Sequence, residues 1–286
     1  MDSHMQTVND ISALRSFVNE QKRQGKTIGF VPTMGNLHKG HITLIKEARK
    51  QTDIVVSSIF VNPTQFGEGE DFDSYPRTLE SDSTQLAEAG CHLLFAPSTN
   101  AMYPAESSQW ATVHISNITT RHCGAARAGH FDGVSTVVCK LFNLVTPDIA
   151  FFGKKDFQQL AVIRRMVEAL CFNIQIVGVE TVRETNGLAM SSRNGYLSEI
   201  EKQVAAILYQ QLKNTRQHII SGNNDYATLA KQAQQALVNA GFNPEYFNIC
   251  QADTLEPATV NDHSLVILAA AKLGKARLID NIDFDK

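Results

Sequence analysis

"IGFVPTMGNLHKGHITLIKEARK", residues 28–50, decides how the chain is read. Ile28–Val31 is a short apolar run of strand type, and residues 41–50 place Leu44, Ile45 and Ala48 on one helical face. Between them lies a loop holding Pro32, Gly35, His38, Gly40 and His41. A strand that hands over to a helix begins a βα unit, and the pattern repeats downstream. "DIVVSSIFV" (53–61) is rich in β-branched residues and bounded by Asp53 and Asn62-Pro63, so it predicts a strand. A helix is expected from about Leu79 to Ala89, stopped by Gly90, before strand "HLLFA" (92–96). "GVSTVVCKLFNLVTP" sets Val134, Val137, Val138, Leu141, Phe142 and Val145 on one stripe and stops at Pro147. Strands "IAFF" (149–152) and "NIQIVGV" (173–179) flank the helical "FQQLAVIRRMVEAL". Alternation of this kind predicts an α/β fold, a parallel sheet with helices on both faces.

After about residue 180 the order changes. Two consecutive helices, near 198–220 and 225–240, precede three strand candidates, "YFNICQ", "SLVILAAA" and "ARLID", which suggests a smaller α+β domain. The expected division is therefore 1–180 and 181–286. The connection 98–112 has no readable pattern. "MDSHM" at the start reads as an expression remnant and is left out of fold reasoning.

A chain of 286 residues is long enough for two domains, and 43% hydrophobic with 19% charged residues is globular composition. A net charge of only -3 argues against a nucleic-acid backbone as the main partner. No apolar run approaches a membrane span, so no membrane partner is expected. Five cysteines without a C-x-x-C pair read as reduced, buried thiols in a cytoplasmic protein.

The loop is where chemistry concentrates. Ligands of open α/β sheets bind at strand carboxyl ends, where helix N-termini offer unpaired N–H groups and a positive dipole end. Gly29, Gly35 and Gly40 are too widely spaced for G-x-G-x-x-G. "GNLHKGH" approaches the Walker A pattern but has His41 in place of Lys and Ile42 in place of Ser/Thr, so it is not a P-loop. What remains is His38 and His41, three apart and on one helical face. Gly40 between them lets a phosphate approach the backbone. The helix dipole favours neutral imidazoles in the empty site. Such a pair suits a transition state that builds charge on phosphate oxygens. Plain capping explains a lone His, whereas two His around a Gly at a βα junction favour function. Zinc is the weaker alternative, because no third ligand follows and no metal site is expected.

"HKGH" resembles the H-x-G-H signature of the nucleotidylyltransferase and class I aminoacyl-tRNA synthetase superfamily. The wider "VPTMGNLHKGH" is similar to the pantoate–β-alanine ligase (pantothenate synthetase) family. Further blocks extend the likeness from about residue 28 to the C-terminus: "SIFVNPTQF" (58–66), "GKKDFQQ" (153–159), "TVRETNGLAMSSRNGYLS" (181–198) and "LGKARLIDN" (273–281). "MSSRN" lacks the lysines of a "KMSKS" loop, which argues against a tRNA synthetase. The chain departs from the family at Ala128, where Pro is usual and the loop before His130 is relaxed, and at Lys154, which adds positive charge.

The resemblance implies a Rossmann-like doubly wound sheet with a C-terminal α+β lid domain. It also implies ATP-dependent condensation of (R)-pantoate with β-alanine through pantoyl adenylate, with release of AMP and pyrophosphate. His38, His41 and Lys155 would be catalytic. ATP would lie along Pro32, Thr33, Met34, Gly35, Asn36, Leu37, His38, Lys39, Gly40 and His41. It would also meet Gly153, Lys154, Lys155, Asp156, Val182, Met190, Ser191, Ser192 and Arg193. Asn62, Gln65 and Gln159 would hold pantoate, with Gln65 also on β-alanine. Mg²⁺ would be held mainly by the ATP phosphates, and a homodimer is implied. Two other readings stay open: a nucleotidylyltransferase with a phosphorylated acceptor, and a nucleotide sensor that has lost the reaction.

Overall fold

The structure, a computed structural model, describes residues 5–104 and 111–286. Residues 1–4 of the expected remnant and residues 105–110 of the unplaced connection lie outside the described residues. The chain divides into two compact units, Met1–Lys154 with Val162–Glu180, and Lys155–Ala161 with Thr181–Lys286.

The first unit begins with β1 (Gln6–Val8) and α1 (Ile11–Arg23), followed by β2 (Ile28–Thr33), α2 (Lys39–Gln51) and β3 (Ile54–Ile59). A 3-10 turn (Pro63–Gln65) leads to α3 (Leu79–Glu88) and β4 (Leu93–Phe95). Two four-residue helices, α4 (Thr99–Met102) and α5 (Cys123–Ala126), precede α6 (His130–Val145), β5 (Ile149–Gly153), the turn Lys154–Asp156, α7 (Phe157–Ala169) and β6 (Gln175–Val179). The sheet order is β1-β4-β3-β2-β5-β6, parallel throughout. β1 and α1 are additions to the sequence expectation. Three residues are too few for a period, but α1 carried a legible signal in Asp10, whose carboxylate accepts from Ala13 N–H at 2.8 Å. α6 starts three residues before the expected Gly133.

Parallel strands covered on both faces read as continuous apolar runs, and β3 is buried along five of its six residues. Alternation splits the core between the two faces. Phe30 of β2 and Phe152 of β5 meet Phe142 of α6 edge-on, at 6.4 and 6.3 Å between centroids. Val31 and Phe151 join a separate cluster with Ile45 and Ala48 of α2 and Leu86 of α3. All five cysteines are free. Cys91, Cys123 and Cys250 are buried, and burial pushes the Cys91 thiol up to about 12, but Cys171 is exposed, contrary to expectation.

The strand order turns back at β2, with β3 on one side and β5 on the other. β2 pairs with β3 along its whole length, Ile28 with Ile54 through Thr33 with Ile59. With β5 it pairs only at Gly29 and Phe30. Pro32, which has no N–H to donate, lies beyond that short pairing. The sheet therefore parts at the carboxyl ends of β2 and β5, the switch point where open α/β sheets bind ligands.

In the second unit α8 (Glu199–Ile220) and α9 (Tyr226–Asn239) precede β7 (Asn243–Gln251), β8 (Ser264–Leu273) and β9 (Ala276–Asp285). The three strands form an antiparallel meander, β7-β8-β9, with α9 against β7 and α8 against β8 and β9. Leu208 and Leu212 of α8, Leu237 of α9 and Leu265 and Ile267 of β8 are buried in its core. Ser198 and Glu201 form a reciprocal capping box at the start of α8. Among the described residues no helix is long and apolar enough to cross a membrane.

Candidate active site

The His loop closes on itself. His38 is the N-cap of α2, and its Nδ1 accepts from Gly40 N–H at 3.1 Å. His41 Nδ1 accepts from His38 N–H at 3.3 Å, so the two imidazoles complete a capping box usually built from hydroxyl and carboxylate. The rings lie 4.1 Å apart, tilted by 41°. A nitrogen that accepts from a backbone N–H carries no proton, which assigns the proton of each neutral ring to Nε2. The expectation that Gly40 opens the backbone to phosphate needs a different reason. A Cβ there would fall 2.8 Å from His38 Cε1 and 2.9 Å from Nδ1, so Gly40 makes room for the His38 ring.

Three more of the loop's amides are engaged within the protein. Gly35 N–H donates to Thr33 Oγ1 at 3.2 Å, and those of Asn36 and Leu37 donate to the buried Asp82 carboxylate at 2.8 Å each. A P-loop cradles phosphate with its amides, whereas here the amides of Gly35, Asn36 and Leu37 hold the loop. Lys39, the first residue of α2, is exposed.

Gln65 is the second focus. Its Nε2 reaches the Met34 thioether at 3.0 Å, and its Oε1 accepts from Asn62 Nδ2 at 3.1 Å. Asn62 is 1% exposed and its amide is fully engaged. Nδ2 also donates to Gly133 O at 3.2 Å, and Oδ1 accepts from Thr64 Oγ1 at 3.0 Å. In this arrangement Asn62 orients Gln65. Gly133 permits the close approach, because a Cβ would sit 2.3 Å from Thr64 O. The Gln65 carbonyl accepts from His130 Nδ1–H at 2.8 Å, which leaves His130 Nε2 to accept from Arg127 Nη1 at 2.9 Å. Arg127 also grips Glu70 with two bonds of 2.6 Å. That hydrogen-bonded guanidinium holds the Glu70 carboxyl below its ordinary value. The Arg127–His130 segment thus fixes the backbone of Gln65, a role its sequence did not reveal.

Gly153 ends β5. Lys154 pairs with Glu180 at 2.5 Å, so its added charge is already matched. In the second unit Lys155 stands 3.8 Å from Asp156, and its carbonyl accepts from Asn281 Nδ2 at 2.8 Å. Gln159, in the first turn of α7, is half-buried. Val182 O accepts from Met190 N–H at 3.0 Å across a tight reversal, and Ser191 caps the 3-10 turn Ser192–Tyr196 through Arg193 N–H at 3.2 Å. That reversal is anchored by Arg183, bidentate on the buried Asp280 at 2.6 and 2.9 Å and stacked 3.5 Å over the Tyr209 ring. Burial raises the Asp280 carboxyl, opposed by the Arg183 guanidinium.

Sequence reasoning missed Asp82, Thr78, Glu70, Gly133 and the Arg183–Asp280 pair as supports. Asp82 in the first turn of a helix looks like an ordinary dipole-favoured acid, so nothing local marks it. Among the described residues no three His, Cys, Asp or Glu side chains converge as a metal cage.

The profile of the pantoate-beta-alanine ligase family matches residues 6–283. Pantothenate synthetase of Alcanivorax borkumensis is 53% identical over 279 residues, 97% of each chain. That of Shewanella sp. (strain ANA-3) is 54% identical over 282 residues, 99% of this chain and all of its own. Among solved structures, pantothenate synthetase from Thermus thermophilus superposes with a TM-score of 0.91 at 44% identity, covering 97% and 99% of the two chains. Pantoate-beta-alanine ligase from Francisella tularensis, solved with β,γ-ATP and β-alanine, gives 0.81 at 33% identity, with 97% of each covered.

Proposed function

The chain belongs to the pantoate–β-alanine ligase family, and we propose that its His38–His41 loop and the braced Gln65 carry out adenylation and acyl transfer. The enzyme condenses pantoate with β-alanine to pantothenate, using ATP. A carboxylate is a poor acyl donor. In the first step the pantoate carboxylate attacks the α-phosphorus in line and pyrophosphate leaves with the electron pair. The attacking oxygen is already anionic, so this step needs no general base. It needs placement and donors for growing phosphoryl charge. The observation that carries the assignment is the pair of Nδ1 acceptors, which puts the protons of His38 and His41 on Nε2 at the carboxyl end of β2.

Gln65 binds pantoate and then β-alanine, and Asn62 takes part by orienting it. Gln159 is the further pantoate contact. ATP meets Pro32–His41, Gly153 and Lys154 of the first unit, and Lys155, Asp156, Val182, Met190, Ser191, Ser192 and Arg193 of the second. Lys155 and Arg193 supply positive charge to the phosphates. In the second step the neutral β-alanine amine attacks the acyl carbon, the acyl–phosphate C–O bond breaks, AMP departs with the electron pair, and the amine proton passes to solvent while His41 donates its Nε2–H to the departing phosphate. Mg²⁺ would be held mainly by the ATP phosphates and would screen their charge. A homodimer in the cytoplasm completes the proposal, and light scattering at micromolar concentration tests the assembly.

The reaction is tested by separating nucleotides after incubation with Mg-ATP and pantoate, with and without β-alanine. Sustained AMP and pyrophosphate only with both substrates, and bound adenylate from pantoate alone, is the expected result. ADP, or no AMP, overturns it.

A further inference from the structure

Asp82 is the fourth residue of α3 and 1% exposed, and none of the sequence motifs includes it. Its Oδ2 accepts from Asn36 N–H and its Oδ1 from Leu37 N–H, both at 2.8 Å, while Thr78 Oγ1 donates to Oδ2 at 3.1 Å. The loop at this point is not in a relaxed conformation. Gly35 (φ +82°) and Asn36 (φ +51°) are consecutive left-handed residues, and His38 follows in extended backbone at φ −138°. Asp82 Oδ2 and Ile59 Cγ2 each stand 3.1 Å from where a Gly35 Cβ would be, so the carboxylate is packed directly beneath the turn. A buried carboxylate that takes two successive backbone N–H groups fixes both the path and the rotation of the peptides it binds.

We propose that Asp82 is a positioning residue for adenylation: its two oxygens hold the peptides of Asn36 and Leu37 so that His38 and His41 present their Nε2 protons in place. The inference rests on the reading of the His loop given above. Two acceptor oxygens are needed at once, which only a carboxylate supplies. In Asp82→Asn one oxygen becomes an NH₂ facing an N–H, and one loop amide loses its partner. The shape is kept and the loop is released.

The test combines amide hydrogen exchange with kinetics on D82N, with H38A as the control for the site itself. D82N is expected to fold, with Asn36 and Leu37 amides exchanging at least about tenfold faster. Adenylate formation in a single turnover slows about 30-fold or more, because a misplacement near 1 Å costs rate on the order of 10²-fold. The kcat/KM for β-alanine stays within about twofold, since that substrate enters after the step Asp82 serves. D82N adenylating at the wild-type rate while H38A is slow overturns the positioning inference alone. The same holds if its lost rate equals a lost fraction of active protein with exchange at residues 36 and 37 unchanged. H38A adenylating at the wild-type rate overturns the reading of the loop instead. If D82N does not accumulate, Thr78→Val carries the test, because it removes the hydroxyl donor on Oδ2. A fall in adenylation of about three- to tenfold is then expected, and no change overturns the inference.

Discussion

Replacing Gly40 with alanine separates stability from catalysis. The new Cβ would lie 2.8 Å from His38 Cε1 and 2.9 Å from its Nδ1, closer than real contacts allow. The obstacle is the end of a side chain rather than backbone, so the ring swings away and the helix start stays. Loss of the His38 cap on Gly40 N–H, a 3.1 Å bond, costs about 1 kcal/mol. Alanine in place of glycine near the start of α2 returns about 0.5–1 kcal/mol of helix propensity. The two nearly cancel, and stability in urea is expected within about 1 kcal/mol of wild type. Activity has no such compensation. A displaced His38 removes one donor from the developing phosphoryl charge, worth about 10²–10³ in kcat. The assay is initial AMP release at saturating ATP, pantoate and β-alanine, alongside a urea melt. Activity within threefold of wild type would refute the reasoning, as would a stability loss above about 3 kcal/mol.

Glu70 gives a pH signature. Its carboxyl is held below 4.5, chiefly by the Arg127 hydrogen bonds, so it contributes stability above that value and loses it as pH falls through the depressed folded value. The stability difference between wild type and Glu70→Gln, from urea melts, should be flat above pH 5 and shrink below pH 4; a flat difference down to pH 3 would contradict the pairing. Gly133→Ala drives a Cβ to 2.3 Å from the Thr64 carbonyl oxygen, which is backbone and cannot step aside. A loss of about 1–3 kcal/mol is expected with a raised pantoate KM, and an unaffected KM would show that Gln65 is not placed by this contact. Arg183→Met strands the Asp280 carboxylate and should cost about 3–5 kcal/mol, with partial recovery in the double variant carrying Asp280→Asn. Equal stability of the single and double variants would refute the pairing.

The fold was legible where burial dictated composition. The β3 run and the Val134–Val145 stripe are apolar because both sheet faces are covered, so their sequences could hardly read otherwise. β1 was not legible, since its three residues owe their strand state to pairing with β4, eighty-odd residues away. In the site, the histidines announced themselves by residue type, but their reciprocal capping depends on ring placement. Gly40 was assigned to an approaching phosphate because spacing cannot show that a neighbouring ring fills the space. Asp82, Glu70 and Arg127 act across loops distant in sequence, and each has an innocuous local setting.

The strand order also sets a timetable for synthesis. β2 finds β3 almost at once, yet its other edge waits for β5, roughly a hundred residues further on. At ~5–20 residues per second that is an interval on the order of ten seconds on the ribosome. During it a central strand presents an open edge to any passing β-segment. The β7-β8-β9 meander, with neighbouring strands paired in sequence order, has no such wait. Misfolding and chaperone dependence in this chain are therefore expected to originate at the β2 edge, beside the loop that carries the histidines.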